Sequence, residues 1–359
     1  MASLADVARL AGVSKATASR ALSGAGEVSP STRERVVSAA AELGFVASST
    51  AASLVTGRTR NVGVVSPFVS RWYFSEVIEG VEEALIREGY DLTLFRVQED
   101  PSRRQRVFDY FLVRKRVDAV ITIAVALSPD EVAALRALGR PVVGVGGGIP
   151  GMSSLQIDDV AAARLATEHL LSLGHRHIVH LGGDQTEQMD FHIHSQRLAG
   201  FRQALAGAGI PPHDDFLATP LTIPGGFQVA LDLLGDPRRR PTAIFAASDE
   251  IAIGAIMAAG RLGIRVPQEL SVVGIDDHEL SEMHGLTTVR QVPREQGELA
   301  VSLALEAMSA PAPETRDVAL PITLVVRSST AAPPERTTLP RESHGHVVRA
   351  GADLPDRDA

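Results

Sequence analysis

The sequence predicts a small all-α headpiece followed by an α/β body that is built from two doubly wound subdomains. The chain has 359 residues, more than the roughly 100–200 residues of a typical domain. Helical periodicity dominates up to residue 45, whereas short apolar runs alternate with helical stretches from residue 61 onward. A hydrophobic fraction of 45% is enough to fill several cores.

The composition excludes several kinds of site and location. The chain has no cysteine, so disulfides, thiolate zinc sites and cysteine nucleophiles are absent. Its first residues lack the basic stretch and apolar core of a signal peptide, and no apolar run reaches the ~18 residues of a membrane span. We therefore expect a soluble cytoplasmic protein with no membrane partner.

Charge is distributed unevenly along the chain. Residues 1–58 contain six basic and four acidic side chains, whereas residues 59–359 contain 29 basic and 39 acidic side chains. The headpiece is therefore slightly basic, although the net charge of the whole chain is −8. This asymmetry predicts that the headpiece, rather than the body, contacts a polyanion.

The first two predicted helices of the headpiece flank a short turn. Ser3 and Asp6 have the spacing of a capping box, which predicts a helix start. Gly12 can adopt the left-handed conformation that ends a helix, and Ser14 can cap the next one. In that second helix, the predicted face towards the first helix consists of Ala18, Ala21 and Leu22.

A third helix is predicted to begin at Ser29 and Pro30, a cap followed by proline, and to end at Gly44. Two short helices around a glycine turn, with a third as support, describe a helix-turn-helix headpiece over residues 1–46. A small three-helix docking module fits the same periodicity. The second helix favours DNA, because small and hydroxyl-bearing side chains between Lys15 and Arg20 can lie flat in a major groove.

The headpiece also carries a family resemblance. Residues 4–45 contain "DVA", "AGVS" and "SRAL" at a characteristic spacing, and they closely resemble the DNA-binding headpiece of the LacI/GalR family of bacterial transcriptional regulators. The resemblance implies that the second helix enters the major groove of a near-palindromic operator bound by a dimer. It assigns base reading to Lys15, Ala16 and Thr17, and phosphate contacts to Ser14, Ser19 and Arg20.

A hinge helix and linker are predicted over residues 47–60. Isolated helices shorter than about 12–15 residues are marginal in water, so this segment should gain structure only against a partner. Leu54 is an apolar side chain of the kind that wedges between base steps from the minor groove, and Arg58 can contact phosphate. The family resemblance implies that paired hinge leucines insert at the operator centre. The alternative is that Leu54 packs on the body.

Apolar runs that predict buried parallel strands occur in two series, and helical stretches separate the runs. The first series comprises residues 62–66, 91–95, 118–125 and 141–146, and the second comprises residues 177–183, 242–248 and 271–276. Two successive βαβ series predict two doubly wound subdomains with a crevice between them. Ligands of such sheets bind beyond the carboxyl ends of the strands.

The family resemblance continues to about residue 328, where the body is similar to periplasmic sugar-binding proteins. It implies an N-terminal subdomain of residues 61–160 plus 289–318 and a C-terminal subdomain of residues 161–288 plus 319–328. It also implies that residues 286–291 return the chain to the first subdomain and residues 321–327 to the second. Residues 329–359 have few apolar side chains and no leucine heptad, so we expect a disordered tail and a homodimer rather than a tetramer.

Six side chains are candidates for ligand contacts at the predicted crevice. They are Trp72, Phe74, Arg197, Ser248, Asp249 and Asp276. Carboxylates accept from hydroxyl groups, arginine donates in a fork, and aromatic faces cover the apolar side of a ring. That combination suits a polyhydroxylated or cyclic small molecule. The resemblance assigns ligand contact to Arg197, Ser248 and Asp276, while helix capping is the alternative role for Asp249.

Two other patterns give no cofactor or metal prediction. Residues 144–151 resemble a dinucleotide loop, but Pro150 and Gly151 interrupt the helix that such a loop requires. His177 and His180 point to opposite faces of one strand and cannot converge on a metal, although His192 or His194 can line the crevice rim. No serine elbow, Walker sequence or paired acids stand out, so we expect neither catalytic residues nor a cofactor.

The sequence therefore predicts a ligand-responsive transcriptional regulator, and the leading interpretation is a repressor of genes for carbohydrate uptake or catabolism. Effector binding should change the relative orientation of the two subdomains, spread the hinge segments and so alter operator affinity. The alternatives are a regulator that responds to a purine or another metabolite, a plain small-molecule-binding protein, and an enzyme that uses the crevice.

Overall fold

A computed structural model of the protein describes residues 2–23, 27–45, 58–97, 100–112, 117–184, 192–211, 215–311 and 314–334. The predictions for the hinge segment 47–57, including Leu54, and for residues 335–359 of the tail lie outside these ranges. Among the described residues, no helix is both long enough and apolar enough to cross a membrane.

The headpiece consists of three helices around a core of small side chains. The helices are α1 (Leu4–Leu10), α2 (Lys15–Ser23) and α3 (Pro30–Glu42). Their shared core includes Val7, Ala8, Ala18, Ala21, Val36 and Ala40. Small residues let the helices approach closely, and this packing confirms the predicted three-helix unit.

The helix ends of the headpiece follow the predicted capping chemistry. The hydroxyl of Ser3 accepts from the amide of Asp6, and the Asp6 carboxylate accepts in return from the Ser3 amide over 2.9 Å. Gly12 has a φ of +66°, which ends α1 in the left-handed conformation that glycine tolerates. The amide of Thr17 then donates to the hydroxyl of Ser14 over 3.1 Å, which caps α2.

The body begins with alternating strands and helices. In chain order, the elements of this part are β1 (Asn61–Ser66), α4 (Trp72–Arg87), β2 (Asp91–Arg96), α5 (Pro101–Arg106), a π-helical segment (Val107–Leu112), β3 (Ala119–Ile123), α6 (Pro129–Ala137), β4 (Val142–Val145) and β5 (Ser153–Gln156). The strands β3 and β4 are buried along their whole length, as expected of parallel strands covered by helices on both faces.

The second half of the body repeats the pattern. Its elements are α7 (Asp159–Ser172), β6 (Ile178–Gly182), α8 (Ile193–Gly207), β7 (Phe216–Ala218), α9 (Ile223–Gly235), β8 (Ala243–Ala246), α10 (Asp249–Arg261), β9 (Ser271–Asp276), β10 (Thr287–Arg290), α11 (Pro293–Ser309), β11 (Asp317–Ala319) and β12 (Thr323–Val325).

These strands form two six-stranded sheets, one in each subdomain. The strand order is β11-β5-β4-β3-β1-β2 in the first sheet and β12-β10-β9-β8-β6-β7 in the second. All paired strands are parallel except β10 and β12, which are antiparallel. The two sheets confirm the predicted α/β body of two doubly wound subdomains.

The prediction that residues 286–291 return the chain to the first subdomain is wrong. β10 pairs in parallel with β9 of the second sheet, with Thr288 opposite Gly274, and Val289 is buried in the core of that subdomain. The chain crosses back only after Gln291, where α11 begins and packs on α4. The prediction for residues 321–327 is confirmed, because β12 lies in the second sheet.

The prediction of disorder from residue 329 onward is wrong for the first residues of the tail. Ser329 is 2% exposed, and its hydroxyl donates to the carbonyl of Val272 in β9 over 2.6 Å. The amide of Ala331 donates to the hydroxyl of Ser271 over 3.0 Å. These bonds satisfy the N-terminal end of β9, which explains why a polar segment lies ordered on the second subdomain.

Candidate functional site

A cleft lies between the two subdomains, at the carboxyl ends of their strands. It holds about 890 Å³ of atom-free space, part of which is open to solvent. The lining includes Phe68, Arg71, Tyr73, Phe74, Ile157, Asp159, His194, Arg197, Leu221, Ser248, Glu250, Asp276, Gln291 and Gln296. Both subdomains contribute, so a ligand in the cleft contacts each of them at once.

The central cation of the cleft is Arg197, near the start of α8. Its Nε donates to Oδ1 of Asp159 over 2.7 Å, and its Nη1 donates to the carbonyl of Ala247. Arg197 and Asp159 are both buried. Burial opposes the charge on Arg197, but the carboxylates of Asp159 and Asp276 outweigh it and raise the pKa of the guanidinium. The arginine is therefore a fixed, charged group in the lining of the cleft.

The last residue of β9, Asp276, provides a buried acceptor opposite Arg197. Its φ of +130° and the φ of +60° at Asp277 place two successive non-glycine residues in strained conformations, as is common at ligand sites. Burial raises the pKa of Asp276 to about 7, although the charge of Arg197 acts in the opposite direction. Its carboxyl group therefore changes protonation near neutral pH.

A chain of hydrogen bonds links Asp276 to the first subdomain. The phenol of Tyr73 donates to Oε1 of Gln296 over 2.9 Å, and Nε2 of Gln296 donates to Oε1 of Gln291 over 3.0 Å. Nε2 of Gln291 then donates to Oδ1 of Asp276 over 2.6 Å. Burial raises the pKa of Tyr73, so the phenol stays protonated and each bond points towards the carboxyl group.

Aromatic rings form the wall that the first subdomain contributes to the cleft. The rings of Phe68 and Phe74 meet edge to face with centroids 5.3 Å apart, and the guanidinium of Arg71 lies 3.5 Å above the Phe68 ring. Such a wall offers apolar faces to the flat side of a ring-shaped ligand. Phe74 is thus placed where the sequence predicted it.

The structure brings four of the six predicted ligand residues to the cleft, namely Phe74, Arg197, Ser248 and Asp276. Trp72 lies outside the lining, because its ring packs on His278 with centroids 4.8 Å apart. Asp249 also lies behind the lining, where its carboxylate accepts from the hydroxyls of Ser281 and Thr288, each over 2.7 Å. The cap of α10 is instead Ser248, whose hydroxyl accepts from the Ile251 amide.

Several lining residues were not predicted from the sequence. Asp159 begins a helix, like many capping acids, and Gln291 follows a strand that the sequence placed in the wrong subdomain. Gln296 lies inside a helix, where its spacing gives no functional signal. Of the two histidines predicted near the rim, His194 lines the cleft and is 7% exposed.

His180 has a packing role in the core of the second subdomain. His180 stacks on Phe245 with centroids 4.5 Å apart and donates from Nδ1 to the Phe245 carbonyl over 3.1 Å. Burial lowers its pKa to about 3, so the ring is neutral. Within the described ranges, no group of three or more His, Asp or Glu side chains is arranged to hold a metal ion.

The predicted DNA-contacting residues of the headpiece lie along α2, from Ser14 at its cap to Arg20 in its last turn. Ser14, Lys15, Ala16 and Arg20 are exposed, while Thr17 and Ser19 are half-buried. The predicted base-reading and phosphate-binding side chains are therefore at least partly accessible. Contact with DNA by these residues stays a prediction.

Arg58, the predicted phosphate contact of the linker, lies beside the first subdomain. One of its Nη atoms is 3.4 Å from the carbonyl oxygen of Met308, near the end of α11. The role of Arg58 at DNA also stays a prediction.

Both the headpiece and the body match known protein families. Residues 3–48 match the family described as "Bacterial regulatory proteins, lacI family", and residues 167–330 match "Periplasmic binding protein-like domain". The chain is 34% identical over 334 residues to the HTH-type transcriptional regulator DegA of Bacillus subtilis (strain 168), covering 91% of this chain and 97% of DegA. It is 32% identical over 339 residues to the HTH-type transcriptional repressor PurR of Vibrio parahaemolyticus, covering 92% of this chain and 98% of PurR.

Solved structures show the same arrangement. The lac repressor dimer bound to operator and the anti-inducer ONPF has a TM-score of 0.80 at 28% identity, covering 92% of this chain and 99% of that chain. The complex of the transcriptional regulator CelR with cellobiose has a TM-score of 0.67 at 29% identity, covering 92% of this chain and 100% of that chain. Since these similarities extend over headpiece and body alike, the protein belongs to the LacI family of bacterial transcriptional regulators.

Proposed function

We propose that the protein is a homodimeric repressor whose operator affinity is controlled by a sugar bound in the cleft. The observation that carries this proposal is the buried group of Arg197 and Asp276 opposite the aromatic wall of Phe68 and Phe74. A guanidinium and a carboxylate each bind neighbouring hydroxyls, and aromatic rings cover the apolar face of a sugar ring. The controlled genes are then those for carbohydrate uptake or catabolism.

The charges around the cleft favour a neutral ligand over a phosphorylated one. The charged lining consists of Arg71 and Arg197 with Asp159, Glu250 and Asp276. Asp159 already neutralises Arg197 through a 2.7 Å ion pair. An anionic ligand would lose its hydration on entering a cleft that has more acidic than available basic side chains. Too few cations would then remain to compensate the free energy of its desolvation.

A planar heterocycle such as a purine is the second candidate. The neighbouring rings of Tyr73 and Phe74 favour it, because flat rings stack on aromatic faces. The sugar ranks first because the amides of Gln291 and Gln296 and the hydroxyl of Ser248 add donors and acceptors on several sides of the cleft. Such dispersed polar groups match a ligand that carries hydroxyls all around its ring.

Ligand binding acts on DNA through the relative orientation of the subdomains. Phe74 belongs to the first subdomain and Arg197 to the second, so a ligand that touches both stabilises one orientation. The ligand needs only unequal affinity for the two orientations, and a difference of about 1.4 kcal/mol changes the equilibrium tenfold. The headpieces follow the body through the linker, where we place Leu54 in the minor groove.

The homodimer is supported by the similarity to the lac repressor, which is a dimer in its operator-bound structure. Exposed apolar side chains are available for an interface: Ile86 on α4 is 64% exposed, Met257 on α10 is 48% exposed and Met283 is 79% exposed. Sedimentation equilibrium at micromolar concentration tests this part: the expected mass is twice 38.0 kDa, whereas a monomer of 38.0 kDa contradicts it.

A ligand screen tests the proposed effector. The purified full-length chain is screened by thermal shift against neutral sugars, sugar phosphates and nucleobases, and hits are titrated by calorimetry. We expect a neutral sugar to bind to the wild type and to bind at least tenfold more weakly to Asp276→Asn. A nucleobase as the sole binder would replace the sugar by the second candidate, and tight binding of sugar phosphates alone would contradict the charge argument.

The same titrations separate regulation from the rival functions. Fluorescence anisotropy with an operator selected from random duplexes reports whether the bound ligand changes DNA affinity. Chemical analysis of the ligand after incubation reports turnover. A plain binding protein gives no selected operator, an enzyme gives a product, and the proposed regulator gives an operator whose affinity depends on the intact ligand.

A further inference from the structure

A second cleft lies at the opposite end of the first sheet from the ligand site. It holds about 1290 Å³ of atom-free space, part of which is open to solvent, and its lining includes Arg58, Asp118, Arg136, Arg140, Met308 and Glu314. Asp118 directly precedes β3 and Val142 begins β4, so this cleft borders the amino-terminal ends of the strands. Because Arg58 belongs to the linker segment, we call it the linker cleft.

The linker cleft is positively charged on an acidic chain. Three arginines, Arg58, Arg136 and Arg140, line it, while the chain as a whole has a net charge of −8. Of the two acids, Asp118 is only 2% exposed, and its two oxygens accept from the backbone amides of the linker. Glu314 is the other acid among the described lining residues, so arginines outnumber acids in the part of the lining that the structure describes.

Arg140 is the arginine of the linker cleft for which the described part of the chain supplies no polar contact. Its side chain is half-buried, and it makes no hydrogen bond or ion pair with the part of the chain that the structure describes. Arg136, four residues earlier at the end of α6, donates only one described bond, from Nη2 to the carbonyl of Pro150. Arginine is weakly hydrated and matches phosphate with two parallel donors, so the pair presents the chemistry of a phosphate site.

The linker is anchored at the edge of this cleft. The carboxylate of Asp118 accepts from the Thr59 amide over 2.9 Å and from the Arg60 amide over 2.8 Å. Arg60 has a φ of +50°, a strained conformation that these two bonds hold in place. The side chain of Arg58 reaches the carbonyl of Met308 on the same rim. An anion between Arg58 and Arg140 would therefore act directly on the direction in which the linker leaves the body.

We propose that the linker cleft is a second effector site, which binds a phosphate group and thereby changes operator affinity independently of the sugar site. The atom-free space of the cleft accommodates a phosphorylated metabolite as well as the phosphate alone. The same group can arrive in two forms, as a free phosphate compound or as a backbone phosphate of bound DNA. The two forms share the chemistry that the arginines recognise, and the experiment separates them.

Pyrophosphate serves as the probe for the free form. Calorimetry in phosphate-free buffer with the full-length chain compares the wild type with Arg140→Gln, with Arg136→Gln/Arg140→Gln, and with Arg164→Gln as control. Arg164 is an exposed arginine of α7 in the second subdomain. We expect saturable binding to the wild type and the control, about tenfold weaker binding to Arg140→Gln and none to the double variant. Absence of saturable wild-type binding, or equal binding by the double variant, overturns a site for free phosphate.

Operator binding distinguishes the two sources and tests the effector role. In the free form, pyrophosphate changes operator affinity severalfold in the wild type and leaves the double variant unchanged. If DNA supplies the phosphate, the double variant binds operator more weakly without any pyrophosphate, and its salt dependence falls by about one unit of slope per lost contact. A double variant that equals the wild type in every titration overturns the proposal. Thermal unfolding and sugar affinity of the same variants show that fold and ligand cleft are intact, so this test is independent of the proposed sugar function.

Discussion

Gln291 donates a hydrogen bond to Asp276 over 2.6 Å, and this bond joins the crossover before α11 to the strained end of β9. Asp276 belongs to the second sheet, whereas the next two members of the chain of bonds, Gln296 and Tyr73, lie on helices of the first subdomain. A ligand hydroxyl that bonds to Asp276 therefore competes with or reinforces a contact between the subdomains. In the proposed function, this bond couples ligand recognition to subdomain orientation.

Ligand affinity is predicted to depend on pH through Asp276. Burial raises the pKa of this carboxyl to about 7, so it is charged above that pH and accepts strongly from ligand hydroxyls. Below pH 7, affinity should fall by up to about tenfold per pH unit in the wild type. Calorimetric titration on either side of pH 7 checks this, and Asp276→Asn should show weaker binding with a flat profile. An equal slope in wild type and variant would assign the dependence to another group.

The same carboxyl group should affect folding stability in the opposite direction. Its pKa is higher in the folded chain than the ordinary value of 3.8, so the folded state binds the proton more tightly. The contribution of Asp276 to stability is therefore present below pH 3.8 and is lost as the pH rises to about 7. Urea unfolding at both ends of this range measures the free energy of unfolding of the wild type and of Asp276→Asn. The change with pH that the wild type shows and the variant lacks is the contribution of Asp276.

Acid is predicted to destabilise the second subdomain through His180. Its pKa is about 3 in the folded chain against an ordinary value of 6.5, so only the unfolded chain gains a proton as the pH falls below 6.5. Between pH 7 and pH 5, protonation of His180 in the unfolded chain therefore lowers the free energy of unfolding by roughly 2 kcal/mol. His180→Phe keeps the stacking on Phe245 but has no group to protonate. In urea unfolding, its free energy of unfolding should therefore fall by roughly 2 kcal/mol less than that of the wild type between pH 7 and pH 5. Parallel pH profiles would contradict the assignment.

The crossing of α4 and α11 should not tolerate a larger residue at Gly297. A Cβ there would overlap the carbonyl oxygen of Val77, and a Cβ at Gly80 would overlap the carbonyl oxygen of Arg294. Gly297→Ala is expected to lower the free energy of unfolding by about 1–3 kcal/mol, measured with urea. The matched control is Gly207→Ala at the end of α8, where no atom lies within 4 Å of the new Cβ. Equal stability of the two variants would show that the helices can separate without cost.

Two substitutions on α2 should separate base reading from phosphate binding. Lys15→Ala is expected to weaken operator binding by about 1–3 kcal/mol of binding free energy. It should also relax sequence preference at one position of each half-site. Arg20→Ala should weaken operator and random DNA alike and reduce the salt dependence by about one unit of slope. Anisotropy titrations at several salt concentrations measure both effects. Uniform loss for Lys15→Ala would reassign this residue to the phosphate backbone.

Leu54→Ala should reduce operator affinity more than random-DNA affinity. A leucine wedge acts only where the duplex is kinked, which we expect of the specific complex alone. Gel-shift titration with operator and random duplexes measures the ratio, and Leu54→Met should largely retain it because the side chain stays apolar and long. Equal losses on both duplexes would favour the alternative in which Leu54 packs on the body.

Local chemistry explains why the headpiece could be predicted from the sequence in detail. Ser3, Gly12 and Ser14 determine helix ends through bonds that span three residues or fewer, and each helix end forms as predicted. The longer parallel strands of both sheets follow from continuous apolar runs. The short strands β5, β7 and β11 do not, because three or four residues with partial burial show no periodicity.

Long-range packing explains the errors. The family resemblance predicts only that residues 286–291 return the chain to the first subdomain, whereas the pairing of β10 with β9 decides which sheet contains them. Trp72 and Asp249 have the side chains of ligand residues, yet the orientation of α4 and the buried hydroxyls of Ser281 and Thr288 turn them away from the cleft. Gln296 reaches the site only because α11 packs across α4. These relationships join residues far apart in the chain.

Coupling between cleft and headpiece is tested most directly by operator affinity measured with and without the sugar that gives the largest thermal shift, in the wild type and in Asp276→Asn. Both proteins are expected to bind operator equally well without sugar. Saturating sugar should then change wild-type operator affinity at least tenfold, while the variant responds only at much higher sugar concentration. A sugar that binds tightly in the cleft and leaves wild-type operator affinity unchanged would contradict the coupling between cleft and headpiece.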